Sequence, residues 1–495
     1  MDKIEMRQRR GVIKGRTRGK LDQICGKLIE FGILGLIVLS PLPAASVYDW
    51  SILVIQITVL IMMVAYFLMR NKPETNEFLS LSMKWSRVFF IGLFILLFIQ
   101  IIPLPKFLVK IFSPSAFSFR QQYLTDFSEM TFMSFSLIPN HSLREGLELL
   151  TYFFIGFLIL RTVTRRAQIN RIFSVLIAVG VFEAFYGMFE LYNKNPRILF
   201  YKKVHYLDTV TGTFVNRNHL SGYLEMVIPL AIGLIIAKGN LFSTERLKWR
   251  EKILRISEKG FSTNLLMSIA IIIMSLGIIF SKSRSGIFLL VFSFILFFGL
   301  AVLYFRRTED QKKWISTFLA IIFIFIVIFS LYIGLSNTLE RFSLDKLLLE
   351  KRPVFWENTL GLFKDFPIFG TGLGTFSSLY PDWDQDGNLV RVYHAHNDYL
   401  EYLSELGIMG FLFLLMGILF MIIKSFLVWR GRRRAEVKGL ALGGIIALIC
   451  MLIHSITDFN LHIPANMILF SVVLSLTAVI AHYRMNAVRL EDRQR

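Results

Sequence analysis

The chain is poor in charge, in cysteine and in histidine. Charged residues fill 18% of its 495 positions, against about 25% in an average soluble domain. Two cysteines exclude a disulfide scaffold and a four-cysteine zinc site. Cys25 follows a basic tail and Cys450 lies in an apolar run, so both read as inert thiols. So little charge excludes an intrinsically disordered chain, and the excess of apolar residues excludes a secreted mini-protein or a soluble Rossmann enzyme. No sequence repeat or low-complexity tract is visible, nor is the inverted repeat that marks many transporters. Apolar side chains are what the sequence has in abundance: 54% of residues, 48 of them phenylalanine, for a mean hydropathy of +0.57. This is the composition of a polytopic membrane protein, all-α because helices satisfy their own backbone in lipid.

A net charge of +20 suits phosphate-backbone binding. The basic residues, however, fall in short clusters between apolar stretches and no nucleic-acid module accompanies them, so no nucleic-acid partner is expected. Membrane topology explains the same clusters. A helix needs about 20 apolar residues to cross a bilayer, and twelve stretches qualify: 28–47, 51–69, 88–105, 147–163, 172–192, 219–237, 264–281, 286–305, 315–335, 406–429, 440–458 and 466–483. The first is interrupted by Pro41 and Pro43. With these spans, the connections on one side and both tails hold 38 of the 55 Lys and Arg residues. The positive-inside rule makes that side cytoplasmic, with both termini inside. The N-terminus reads as a signal anchor, because its basic region is long and 41–46 is a weak cleavage site. The expected organisation is a basic cytoplasmic tail (1–27), a membrane bundle (28–335), an extracytoplasmic loop subdomain (336–405) between spans nine and ten, a second bundle segment (406–483) and a cytoplasmic tail (484–495). A connection of that length needs structure of its own, and amphipathic pieces at 338–350 and 353–366 predict a small helical subdomain.

Polar groups in a bilayer protein are costly, and therefore informative. Here they gather on the opposite side from the basic tails. Thr211–His219, with Arg217 and Asn218, leads into span six. Ser281-Lys282-Ser283-Arg284-Ser285-Gly286 turns between spans seven and eight. Lys351-Arg352-Pro353-Val354-Phe355-Trp356 opens the second half of the long loop. His394-Ala395-His396-Asn397-Asp398-Tyr399-Leu400-Glu401 leads into span ten, and His454 and Asp458 lie one turn apart at the end of span eleven, near Asn460 and His462. Taken singly, each has a structural reading. Arg284 suits a snorkelling anchor and Arg217 a loop cap. His394 and His396 would share a face on a strand and diverge on a helix. Asp398, Glu401 and Glu405 have the spacing of a solvated helix face. Asp382, Asp384 and Asp386 mimic half a calcium loop, but the twelfth position is Tyr393, so the EF-hand reading fails. Two histidines fall short of the three or four ligands of a usual metal site, and neither a metal nor another cofactor is expected.

Taken jointly they say more. Three arginines on one face suit a diphosphate at the membrane interface, since each presents a planar fork of donors to phosphate oxygens. A nearby histidine, with an unperturbed pKa of about 6.5, is the natural general base at neutral pH. The combination describes a transferase with a lipid-diphosphate leaving group. A transporter would instead place ionisable groups at mid-membrane, where Glu183 and Glu225 are the candidates. A scaffold would have no use for the polar cluster.

With these residues in hand, the chain resembles the O-antigen ligase and polymerase superfamily. The resemblance is clearest over 205–420 and again at 454–465. It is carried by Arg352-Pro353-Val354-Phe355-Trp356, by Phe366-Pro367-Ile368-Phe369-Gly370-Thr371-Gly372-Leu373-Gly374, by His394–Glu401 and by Glu405-Leu406-Gly407. Residues 212–218 and Ser283-Arg284-Ser285-Gly286 fit as well, whereas the first 200 residues match in topology alone. The resemblance implies a metal-independent, inverting glycosyltransferase of the bacterial inner membrane, working at its periplasmic face. Its donor would be an undecaprenyl-diphosphate-linked glycan, and its acceptor either a sugar of lipid A-core, for a ligase, or a second lipid-linked glycan, for a polymerase. It implies His396 as the catalytic base and Arg217 and Arg284 on the diphosphate, with Arg352 a third cation. His394, Asn397, Asp398, Asn218, His454 and Asp458 would support them. The ligase is the favoured reading and the polymerase its alternative.

Overall fold

A computed structural model of the chain describes residues 19–73, 88, 91–193, 195–238, 259–304, 320, 324, 328, 351–384 and 391–482. Among these residues, eight helices are long and apolar enough to cross a membrane: Asp49–Leu68, Arg166–Leu191, Arg217–Ala237, Asn264–Ser281, Arg284–Tyr304, Asp398–Gly431, Ala435–His454 and Pro464–His482. The protein is a mostly helical, multi-pass membrane protein. Other expected spans take different forms. The stretch at 28–47 is the helix Lys20–Leu39 followed by a tight turn. Pro41 and Pro43 cannot continue a helix, and Ala44, Ala45 and Ser46 all adopt left-handed backbone. The stretch at 88–105 contains the short apolar helix Ile91–Ile101, and 147–163 is the apolar part of Pro139–Thr162. Most of the span expected at 315–335, the amphipathic piece at 338–350 and most of both tails lie outside the described residues.

Two helices form the axis of the bundle. Arg217–Lys238 and Ala435–His454 pack on each other more extensively than any other pair among the described residues, and their sequences explain why. A Cβ on Gly439 would lie 2.5 Å from the Gly233 carbonyl oxygen, and one on Gly443 would lie 2.4 Å from that of Pro229. The Gly439-x-x-x-Gly443 spacing thus lets backbone meet backbone, as small-residue faces do in lipid, where dispersion contacts replace the hydrophobic effect. Pro464–His482 packs on Ala435–His454 from another side, and all three are largely buried in the main core.

A second, smaller core sits apart from the bundle. It joins Val109, Ala116, Phe127, Met133 and Phe135 to Leu362, Phe366, Phe376, Tyr380 and Ala395. The connections expected at 106–146 and 336–405 therefore share one apolar core. The amphipathic piece expected at 353–366 is the helix Arg352–Asp365, and its buried Leu362 belongs to that core.

Glycines attach this layer to the bundle. Gly370, Gly372 and Gly374 have φ of 70°, 109° and 74°, and Gly407 has 62°. Gly407 also has ψ of −178°, a conformation essentially reserved for glycine. It breaks Asp398–Gly431 where the sequence begins span ten. A Cβ on Gly370 would sit 2.3 Å from the Glu405 carbonyl, and one on Gly407 would sit 2.2 Å from that of Ile368. Thr371 N donates to Ser404 O at 3.0 Å and Gly372 N to Glu405 O at 2.9 Å. The Pro–Gly–Gly turn thus clasps the helix break, and so fixes the segment that begins at Asn397.

Candidate active site

Five chain segments converge at one end of the bundle: the starts of the helices at Arg217, Arg284 and Asp398, the start of Arg352–Asp365, and the turn 455–463 that follows Ala435–His454. Asp458 is their meeting point. Its Oδ1 lies 3.1 Å from His396 Nδ1 and accepts from Phe459 N at 3.0 Å. Its Oδ2 accepts from Asn218 Nδ2 at 2.5 Å and from Arg352 Nη2 at 3.4 Å, and His219 Nε2 lies 3.9 Å from Oδ1. The side chain of Asp458 is 1% exposed and that of His396 is 30% exposed. Burial pushes the Asp458 carboxyl up. The imidazoles of His219 and His396 and the Arg352 guanidinium outweigh it and hold the group well below the usual carboxylate range. The helix before it ends at His454, short of the expected end at 458, so Asp458 lies in the turn that follows the helix. Thr457 N and Asp458 N both donate to His454 O, and this closes the turn that presents the carboxylate.

His396 is held from every side. Its φ is 52°, a left-handed conformation that costs a residue with a Cβ about 1–2 kcal/mol. Asn397 is the N-cap of the following helix and accepts from Tyr399 N at 3.0 Å and Leu400 N at 3.1 Å. Trp356 Nε1 donates to the His396 carbonyl at 3.3 Å, and the Phe355 ring stacks on the imidazole at 6.2 Å. Such strain persists where the surroundings over-determine it, and it clusters at functional sites.

The sequence left His394 and His396 open between sharing a face and diverging. They take different hydrogen-bond partners, although both rings pack on Phe459. The His394 ring stacks on Phe459 at 4.1 Å, and its Nδ1 lies 2.8 Å from Glu401 Oε1. Asp398 does not touch His396. It bonds His462 Nδ1 at 2.6 Å and Leu461 N at 3.0 Å. Asp398, Glu401 and Glu405, expected as a solvated face, are instead 1–2% exposed. Their helical spacing puts them on one face, which the 455–463 turn and the Pro–Gly–Gly turn cover. Glu405 accepts from Phe376 N at 2.9 Å. His462 is buried among these carboxylates. Burial lowers its affinity for a proton, but Glu401 and Asp398 raise its pKa to about 10.

The remaining candidates divide. Arg217 lies with its guanidinium 5.1 Å from the Tyr206 ring centre. Its Nε and Nη1 are buried without a hydrogen-bond partner in the protein. Arg284 opens its helix, and the next residue, Ser285, bonds Thr457 Oγ1 at 2.8 Å, one residue from Asp458. The serines of that motif build the turn: Ser281 Oγ bonds Ser221 Oγ at 2.8 Å, and Ser283 Oγ accepts from Gly286 N at 3.3 Å. The His454 imidazole bonds into the bundle, with its Nδ1 3.0 Å from Glu225 Oε2, and makes no hydrogen bond to Asp458. Glu183 holds Thr213, whose N donates at 2.8 Å and whose hydroxyl donates at 2.9 Å. Neither glutamate of the transporter reading is thus a free mid-membrane charge. Asp386 lies outside the described residues, and Asp384 faces Asn358 Nδ2 at 3.5 Å. Cys25 and Cys450 are both buried and unpaired with each other.

Sequence reasoning passed over Phe459 and gave Glu401 and His462 no role. Phe459 touches the rings of His219, His394 and His396. Its signal was its position, one aromatic inside the polar run 454–462.

Residues 269–415 match the family model described as O-antigen ligase, so this stretch is similar to that superfamily. That match supports a ligase- or polymerase-type function on lipid-linked glycans. No curated protein matches the chain. The matched stretch contains Arg284, Arg352, His394 and His396, whereas Arg217, Asn218, His454 and Asp458 come from outside it.

Proposed function

We propose that the protein transfers a glycan from an undecaprenyl-diphosphate carrier to a sugar hydroxyl of lipid A-core, with His396 as general base and with Arg217, Arg284 and Arg352 on the diphosphate. The acceptor hydroxyl gives its proton to His396 Nε2 as its oxygen bonds the anomeric carbon. The bond from that carbon to the phosphate oxygen breaks, and its electron pair leaves with the diphosphate. Attack opposite the leaving group inverts the anomeric centre. The arginine cations meet the charge that develops on the phosphate, so the transfer itself calls on no metal. Asp458 receives the His396 Nδ1 proton in a hydrogen bond. It thereby leaves Nε2 as the basic nitrogen and stabilises the imidazolium that forms, as carboxylates do in other His–Asp pairs.

One observation carries this reading: a half-buried histidine in strained backbone is bonded to a buried aspartate that an arginine also contacts at 3.4 Å. The partnerless N–H groups of Arg217 add buried donors of the kind a phosphate oxygen satisfies. The positive-inside bias, 38 of 55 basic residues, supports a location in the bacterial inner membrane with this site on the periplasmic side and both termini cytoplasmic. The test is reconstitution of purified protein with a lipid-diphosphate-linked oligosaccharide, with and without lipid A-core, followed by gel and mass analysis. Product on lipid A-core, lost in Arg284→Ala and His396→Ala variants that insert and express normally, is the expected result. Longer lipid-linked chains formed without the core would assign a polymerase, and normal transfer by both variants would remove the catalytic assignment.

A further inference from the structure

Beside the His396–Asp458 pair lies a second cluster that the transfer chemistry does not use. We propose that His394, Glu401 and His462 form a divalent-cation site, suited to zinc, that pins the segment carrying His396 to the 455–463 turn. One imidazole nitrogen from each histidine and one oxygen of Glu401 lie within 4.8 Å of one another. Ligands arranged tetrahedrally at zinc distances are roughly 3.3–3.5 Å apart. His462 Nε2 to Glu401 Oε1 is already 3.5 Å, and His394 Nδ1 to Glu401 Oε1, a hydrogen bond of 2.8 Å, would open by about 0.5 Å on binding the ion.

The surroundings are those of a metal site. His462 is 10% exposed, and its Nε2 has no hydrogen-bond partner. Its other nitrogen is held by Asp398 at 2.6 Å, the carboxylate–histidine arrangement that orients a ligating imidazole. Ala395 N occupies the second oxygen of Glu401 at 2.8 Å, which leaves Oε1 for the ion. Two histidines and a glutamate are a recurrent three-ligand zinc set with a fourth position for water. His394 is 30% exposed and provides the way in. The rival occupant is a proton on His462 Nε2, which gives a salt bridge to Glu401 and no metal.

The binding claim stands whatever His396 does. Its consequence for transfer rests on the proposed function, because His394 and His396 are two residues apart on one strained segment.

The test uses the full chain, purified in lipid nanodiscs through a tag without histidine. After loading with zinc chloride and dialysis, elemental analysis should find about one zinc per chain, and thermal unfolding should move several degrees upward. Both effects should vanish in His394→Ala/His462→Ala and in Glu401→Gln. Stripping wild type with a chelator should reverse the thermal shift without any mutation. His396→Ala keeps all three ligands, so it should retain the ion even while its transfer activity tests the other reading. Wild type that is folded but holds no zinc and melts unchanged overturns the site. Equal zinc retention by the double variant overturns the assignment of its ligands.

Discussion

Asp458→Asn is the most informative single change, because it keeps the shape of the side chain and removes its charge. In the native site the carboxylate bonds His396 and Asn218 and lies against Arg352. A hydrogen bond to a charged group contributes about 1.5–3 kcal/mol net. In the proposed transfer the His396–Asp458 bond strengthens as the imidazole takes up the acceptor proton, so its loss would fall on the transition state. At about 1.4 kcal/mol per factor of ten, kcat should fall roughly 10- to 150-fold. The amide can also present its NH2 to Nδ1 and hold the wrong tautomer, which makes the lower figure a floor. The same change removes the negative charge beside Arg352, so KM for the lipid-linked donor should hold or fall. The assay is initial-rate transfer by nanodisc protein at varied donor concentration, with a melting curve to show that the variant is folded. A folded Asp458→Asn protein with kcat within threefold of wild type would refute the His396–Asp458 pair as the proton-handling unit.

Arg217→Lys should raise the donor KM by about ten- to a hundredfold, since an ammonium cannot replace the two buried guanidinium N–H groups with a planar fork; equilibrium binding of a lipid diphosphate to the nanodisc protein checks it. Gly407→Ala and Gly370→Ala should each lower stability by more than about 1 kcal/mol, from positive φ and from a Cβ within 2.3 Å of facing backbone, as read by thermal unfolding. His454→Ala strands Glu225 in the bundle and should cost about 3–5 kcal/mol, with Glu225→Gln in the same chain restoring part of it; a melting series measures both, and full stability in the single variant would contradict the pair. The Asp458 carboxyl is held below its ordinary value in the folded state, so its contribution to stability is complete above about pH 4 and is lost as pH falls through the folded value. Melting temperature against pH should therefore drop less steeply on the acid side for Asp458→Asn than for wild type.

Composition and the spacing of apolar runs located the membrane helices because lipid leaves few alternatives: a spanning helix must be long and apolar, and charge must collect at its ends. The same economy made the polar clusters conspicuous, and four of them do converge on Asp458. Three things were not legible. The left-handed turn at His396 is set by contacts from Trp356, Asn397 and Phe355, none of which announces a φ. The burial of Asp398, Glu401 and Glu405 depends on two turns that arrive from 30 to 60 residues away in sequence, and a local pattern of acids cannot distinguish that cover from water. The direction of His454 was the third. One helical turn separates it from Asp458, yet the helix ends between them, so one side chain enters the bundle and the other enters the site.

That boundary also explains how the site is assembled from two sources. The stretch that matches the O-antigen ligase family brings Arg284, Arg352 and His396, whereas Asp458, which contacts His396 and Arg352, Asn218, which bonds Asp458, and Arg217 are carried by the two central helices and the turn after them. Those helices meet through Gly233, Gly439 and Gly443. Gly222 lies against Asn460, where a Cβ would be 2.5 Å from Oδ1, and Asn466 Nδ2 bonds both His219 O at 3.1 Å and Asn460 Oδ1 at 3.0 Å. The position of Asp458 relative to His396 therefore depends on the close backbone crossing of these two helices. A side chain added at Gly439 or Gly443 would move the aspartate without touching any polar group of the site. Transfer should be lost there through misplacement of a group, since hydrogen-bonded proton transfer tolerates little displacement of its partners.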